Sequence, residues 1–109
     1  MDPSELAGVI VTESLFNPRA NRVKMIELLF EFFDVNSAYI ALQPIMSLYA
    51  VGRSTGIVVD AGYDKTQTVS VNEGYVIPHS GEKHDVAGRK LDDYARRLFN
   101  EKGHNFTTF

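Results

Sequence analysis

The chain has 109 residues, 44% apolar and 23% charged, and its 14 acidic and 11 basic residues leave a net charge of −3. That balance excludes an intrinsically disordered chain, and the lack of cysteine excludes a disulfide framework and a thiolate metal centre. The five Lys and six Arg form no run longer than Arg96-Arg97, so the chain does not read as a nucleic-acid binder.

Met1-Asp2-Pro3-Ser4-Glu5 is acidic and does not read as a secretory signal. Val9-Ile10-Val11 predicts a strand closed by Thr12-Glu13-Ser14. Asn17-Pro18 predicts a helix start, with Asn17 as cap and Pro18 at the first helical position. Val23, Ile26, Leu29, Phe30 and Phe33 then recur at helical spacing, widened by Leu28 and Phe32. Met25 to Phe33 is the most apolar stretch, and Glu27 and Glu31 break it, so no membrane span is expected. After the loop Asp34-Val35-Asn36-Ser37, Tyr39-Ile40-Ala41-Leu42 predicts a buried strand ending at Gln43. Pro44 opens a second helix that stops at Gly52. Ile57-Val58-Val59 predicts another buried strand ending at Asp60, and Thr66 to Val71 a strand that pairs back on it. Asn72-Glu73-Gly74 predicts a hairpin turn into Tyr75-Val76-Ile77. Ser80 to His84 is polar and reads as a loop. A last helix is expected from Gly88 to Glu101, capped by Asp85, with Leu91, Tyr94, Ala95, Leu98 and Phe99 inward and Gly103 as its stop. The order is β-α-β-α, a glycine hinge over Gly52 to Gly56, then β-β-β-α.

Three places carry chemistry. Asp60-Ala61-Gly62 follows an apolar strand, and a carboxylate there faces the edge where α/β folds hold ligands. Gly62 permits a tight turn whose backbone N–H groups can face a phosphate, and Asp60 suits a Mg²⁺ held through water. The plainer alternative is an ordinary strand-turn-strand. Gln43 ends the other buried strand, where a neutral amide either orients an attacking water or merely bonds its neighbours. Gly88 opens the last helix and leaves room for a flat ligand, or simply starts the helix. His79, His84 and His104 fit no zinc spacing, and Gly52-Arg53-Ser54-Thr55-Gly56 lacks the ending of a phosphate loop.

Several segments in order resemble the actin family. They are Thr12-Glu13 with Asn17-Pro18-Arg19-Ala20-Asn21-Arg22, then Ser47-Leu48-Tyr49-Ala50 to Gly52-Arg53-Ser54-Thr55-Gly56-Ile57-Val58. Glu73-Gly74-Tyr75, Pro78-His79, Asp85-Val86-Ala87-Gly88-Arg89 and Phe106-Thr107-Thr108 continue the likeness, which runs from about Val9 to Phe109. It implies an α/β, actin-like (ribonuclease-H-like) fold in part. Residues 1–52 would close the first actin-like half and residues 53–109 would open the second, as one compact unit or as a fragment. By the same resemblance Gln43 positions water, Asp60 lies near the metal, and the turn at Ala61, Gly62, Tyr63 and Asp64 lies against the phosphates. Gly88 lies beside the adenosine. Tyr49, Gly52, Ser54 and Tyr75 match a cleft that receives partner helices. The implied cofactor is ATP or ADP with Mg²⁺ or Ca²⁺, and the implied partners are actin-like subunits or actin-binding proteins. The implied setting is the cytoskeleton of the cytoplasm, or the nucleus for an actin-related protein.

The departures lower the expected affinity. Tyr63 stands in place of a carboxylate, Asp64 in place of a glycine, Gln67 in place of a histidine, and Lys90 in place of an aspartate. The family's other phosphate and adenine segments would fall outside residues 1–109. The chain by itself is therefore expected to bind ATP weakly or not at all and not to hydrolyse it. Strand edges and apolar faces left uncovered are expected to drive self-association. The leading expectation is an actin-family structural and interaction protein with a partial ATP cleft. The alternatives are an actin-like ATPase of which this chain is a fragment, and a small α/β binding module. A ribonuclease-H-type nuclease would need several carboxylates on adjacent strands, and Asp60 alone is not such a cluster.

Overall fold

A computed structural model describes Asp2 and residues 5–105; Met1, Pro3, Ser4 and residues 106–109, with the Phe106-Thr107-Thr108 segment, lie outside the described residues. Strand β1 (Val9–Glu13) leads into helix α1 (Arg19–Glu27), which continues as a π-helical stretch over Leu28–Phe32. Then come β2 (Ala38–Leu42), α2 (Gln43–Ala50), β3 (Gly56–Ala61), β4 (Thr66–Asn72), β5 (Tyr75–Val76), β6 (Glu82–His84) and α3 (Gly88–Glu101). The expected α/β order is present with one strand more. The segment expected to be a polar loop is β6, paired antiparallel with Thr66–Thr68. An edge strand is held by backbone bonds, so its polar side chains do not prevent pairing.

The helix starts differ in detail from expectation. Pro18 stands just ahead of α1 as its capping residue, and its carbonyl accepts the Asn21 and Arg22 N–H groups. Asn17 is not the cap: its side chain bonds Glu13 and Asn21 instead. Gln43 is the first residue of α2, which ends before Gly52, a glycine at φ +75°. Asp85 does not cap α3, whose capping residue is Ala87. The end of α1 widens because the Phe33 N–H reaches back five residues to Leu28 O, a π-type bond.

Two sheets result. β1 and β2 pair in parallel from Val9↔Ala38 to Glu13↔Leu42. In the second sheet β3 runs antiparallel along one edge of β4, while β5 and β6 share the other edge. The core combines Val58, Val69 and Val71 of the second sheet with Leu48 of α2 and Leu15 from the loop after β1. The strands expected to be buried are covered on one face only: Val58 faces inward while Ile57 and Val59 face out, 77% and 66% exposed, and in β2 Ala41 is buried while Tyr39 is exposed.

The inward packing expected of α3 is not found. Leu91, Tyr94, Leu98 and Phe99 are exposed, and none of the helix's described residues is buried. In α1 and its extension only Leu29 is buried; Val23, Phe30 and Phe33 are about half exposed. Helical periodicity marks an apolar face but does not supply the surface that covers it. The radius of gyration is 18.3 Å, against about 13 Å for a compact domain of this length. The molecule is elongated, 55 × 35 × 27 Å.

Candidate functional site

A cleft of about 530 Å³ opens where the ends of β1 and β3 meet the start of α2. Its walls are Thr12 and Ser14, then Gln43, Met46 and Ser47, then Asp60, Gly62, Lys65 and Gln67. Three sequence candidates, Gln43, Asp60 and Gly62, thus share one space. The parallel register that sets Glu13 beside Leu42 brings the end of β1 next to Gln43. The antiparallel register that sets Asp60 opposite Gln67 places both on the inner face of the second sheet. A larger groove of about 670 Å³ runs along α1, and none of the candidates lines it.

Gln67 is the hub of the cleft floor. It is 4% exposed, and its Oε1 accepts the Leu15 backbone N–H. Its Nε2 lies 3.2 Å from Gln43 Oε1 and 3.4 Å from Asp60 Oδ2. Next to it in register, Lys83 of β6 donates to Ser14 Oγ at 3.1 Å and to the Leu15 carbonyl at 3.0 Å. Gln67 and Lys83 therefore bind the loop after β1 to the second sheet. Gly81 fits beneath that loop, since a Cβ there would stand 2.9 Å from Leu15 Cδ2. In the sequence Gln67 stands out only as a departure from the family, and Lys83 and Leu15 do not stand out at all. The available signal was Gln67 in phase with Val69 and Val71, which places an amide on a buried face that must find partners.

The remaining candidates of the turn group on its far side. The Gly62 N–H donates to Lys65 O at 3.0 Å, so the donor expected to face a phosphate closes the turn instead. The Gly62 and Tyr63 carbonyls accept the N–H groups of Gly88 and Arg89 at 3.0 and 2.8 Å. Those two bonds satisfy donors at the start of α3 that would otherwise lack partners. Gly88 serves this approach: a Cβ there would sit 3.3 Å from Tyr63 Cα. Arg89 pairs with Asp64 at 2.6 Å and lies over the Tyr63 ring, 5.3 Å from its centre. Lys65 pairs with Asp85 at 2.6 Å, and that hydrogen bond and charge hold the Asp85 carboxyl below its ordinary range. Ala61 is exposed, on the face of β3 shared by Ile57 and Val59.

The four partner-cleft residues gather at the opposite end of α2. The Tyr49 hydroxyl lies against Gly74, and the Gly74 N–H donates to Ser54 O at 2.8 Å. The Gly52 N–H donates to Tyr49 O at 2.9 Å. Tyr49 is 47% exposed and Tyr75 is 80% exposed. Among the described residues no cluster of three or more His, Asp or Glu side chains is arranged to hold a metal ion, and no helix is long and apolar enough to cross a membrane.

Compared with known protein families, the chain matches the actin model over residues 2–108. With nearly every residue matched in order, and with an α/β architecture that fits part of that fold, the chain belongs to the actin family.

Proposed function

We propose that this chain is an actin-family cytoskeletal protein that acts mainly through protein contacts and carries only a partial nucleotide cleft. The observation that carries the reading is the exposure of Tyr49 and Tyr75 around a braced turn. Exposed tyrosine rings suit the apolar face of an incoming helix. The proposed partners are actin-like subunits and the amphipathic helices of actin-binding proteins, in the cytoplasm, or in the nucleus for an actin-related protein. Titrating a labelled amphipathic actin-binding helix tests it. Tyr49→Ala and Tyr75→Ala should each weaken binding by about 1–3 kcal/mol with the circular dichroism spectrum retained. No binding by the parent chain, or equal binding by the folded variants, would remove the reading.

A second reading is an actin-like ATPase of which these residues form a part. It is favoured by Gln43, Asp60 and Gly62 lining one cleft. The cleft fits a nucleotide-bound Mg²⁺ or Ca²⁺ in one respect: Asp60 is the sole carboxylate among its lining residues. Such an ion would rest on Asp60, phosphate oxygens and water, and it would neutralise phosphate charge. Against turnover stand the closed Gly62 turn and the Tyr63, Asp64 and Arg89 contacts beside it. ATP hydrolysis above background that disappears in Asp60→Ala would favour the second reading over the first.

A further inference from the structure

We propose that Gln67 is a positioning residue that sets the direction of the hydrogen bonds in the cleft, turning Gln43 so that its N–H donors face the open space. A carboxamide has one accepting end and one donating end. The Leu15 backbone N–H can only donate, so it takes Gln67 Oε1. The Nε2 end is thereby aimed at Gln43 and Asp60, and its two hydrogens meet two acceptors, Gln43 Oε1 and Asp60 Oδ2. Gln43 is left with its oxygen engaged and its NH₂ group on the other branch. At 4% exposure Gln67 has no water to trade for these partners, so reversing it would set donor against donor at Leu15.

The consequence concerns the ligand class of this cleft and rests on the nucleotide reading above. An oxygen seated beside Gln43 receives a hydrogen bond rather than giving one. That suits an oxyanion such as a phosphate, which only accepts. Gln67 thus sets the cleft to present hydrogen-bond donors to a phosphate oxygen.

The chain has two glutamines, Gln43 and Gln67, so their side-chain amide signals in a ¹⁵N spectrum of the full chain are readily told apart by Gln43→Ala. The Gln67 NH₂ protons should exchange with water slower than the Gln43 protons by roughly tenfold or more. Gln67→Glu keeps the acceptor for Leu15 and removes the donor, so Gln43 should rotate to donate to the new carboxylate and its own NH₂ protons should become protected. Gln67→Met, which offers neither, should leave them exchanging freely. A merely structural Gln67 would not reverse the protection of Gln43. Equal exchange of the two amides in the parent chain, or unprotected Gln43 protons in folded Gln67→Glu, would overturn the proposal. Adding ATP with Mg²⁺ separates the two ideas. A shift of the Gln43 signals supports the phosphate-binding role. No shift at millimolar nucleotide, with Gln67 still protected, overturns the nucleotide reading and the oxyanion role with it, and leaves only the bond direction standing.

Discussion

Glu13 shows what one side chain does where local and tertiary structure meet. It ends β1, and its carboxylate takes two hydrogen bonds from Arg22 of α1, at 2.7 and 3.1 Å, and one from Asn17 at 3.0 Å. Burial pushes this carboxyl up, but the Arg22 and Asn17 hydrogen bonds and the Arg22 charge outweigh it and hold it below its ordinary value of 4.5. A carboxylate whose folded value is depressed stabilises the fold above the unfolded value and loses that contribution as pH falls through the folded one. Urea unfolding should therefore show stability that is full above about pH 5 and declines below 4.5. Arg22→Met should cost about 1 kcal/mol at pH 7, since Arg22 is half in water, and should flatten that decline. An unchanged acid slope in Arg22→Met would assign the effect elsewhere. The Asn17-Pro18 pair was legible as a helix start, but the Glu13 network was not, because its partners lie four and nine residues away on a different element. The same holds for Gln67. Its phase with Val69 and Val71 is written in the sequence, whereas its partners Leu15, Gln43 and Asp60 are set by long-range register.

Among the elements, the β4–β5 turn and α3 make separate claims. Gly74 has φ +83°, and a Cβ there would run into the Tyr49 hydroxyl. Gly74→Ala should cost about 1–2 kcal/mol, part from the left-handed backbone and part from this contact. Tyr49→Phe should recover the second part only, so a double-mutant cycle by thermal unfolding should show coupling. Strict additivity would place Tyr49 away from the turn. In α3 the stripe of Leu91, Tyr94, Leu98 and Phe99 was legible from spacing, yet its exposure was not, because periodicity is silent on what lies opposite. Among the described residues α3 makes no more than marginal contact with any strand or other helix, and its anchorage is the bonding of Gly88 and Arg89 to the β3–β4 turn. Leu91→Glu with Leu98→Glu should then change unfolding stability at low protein concentration by less than about 0.5 kcal/mol. A large loss would mean that the stripe packs within the molecule. Strand β6 was missed for the converse reason, since its three polar residues carry no strand signal and its pairing with β4 is made by backbone alone.

At the scale of the whole molecule, two sheets share one small core through Leu15 and Leu48, and long apolar faces stay in water. A radius of gyration of 18.3 Å leaves more surface than a compact chain of this length exposes. Ile57 and Val59 on β3 and the α3 stripe are two such faces among the described residues, and surfaces of that kind drive association. The cleft, by contrast, has its polar groups largely bonded to one another. Under the proposed function, association rather than turnover is the expected behaviour. Sedimentation velocity of the purified chain, alone and mixed with actin subunits over a range of concentrations, tests this most directly. The account predicts complexes that grow with concentration, form without added nucleotide, and recede in the Leu91→Glu, Leu98→Glu variant. A chain that remains a single monomer at every concentration and leaves actin subunits unbound would contradict it.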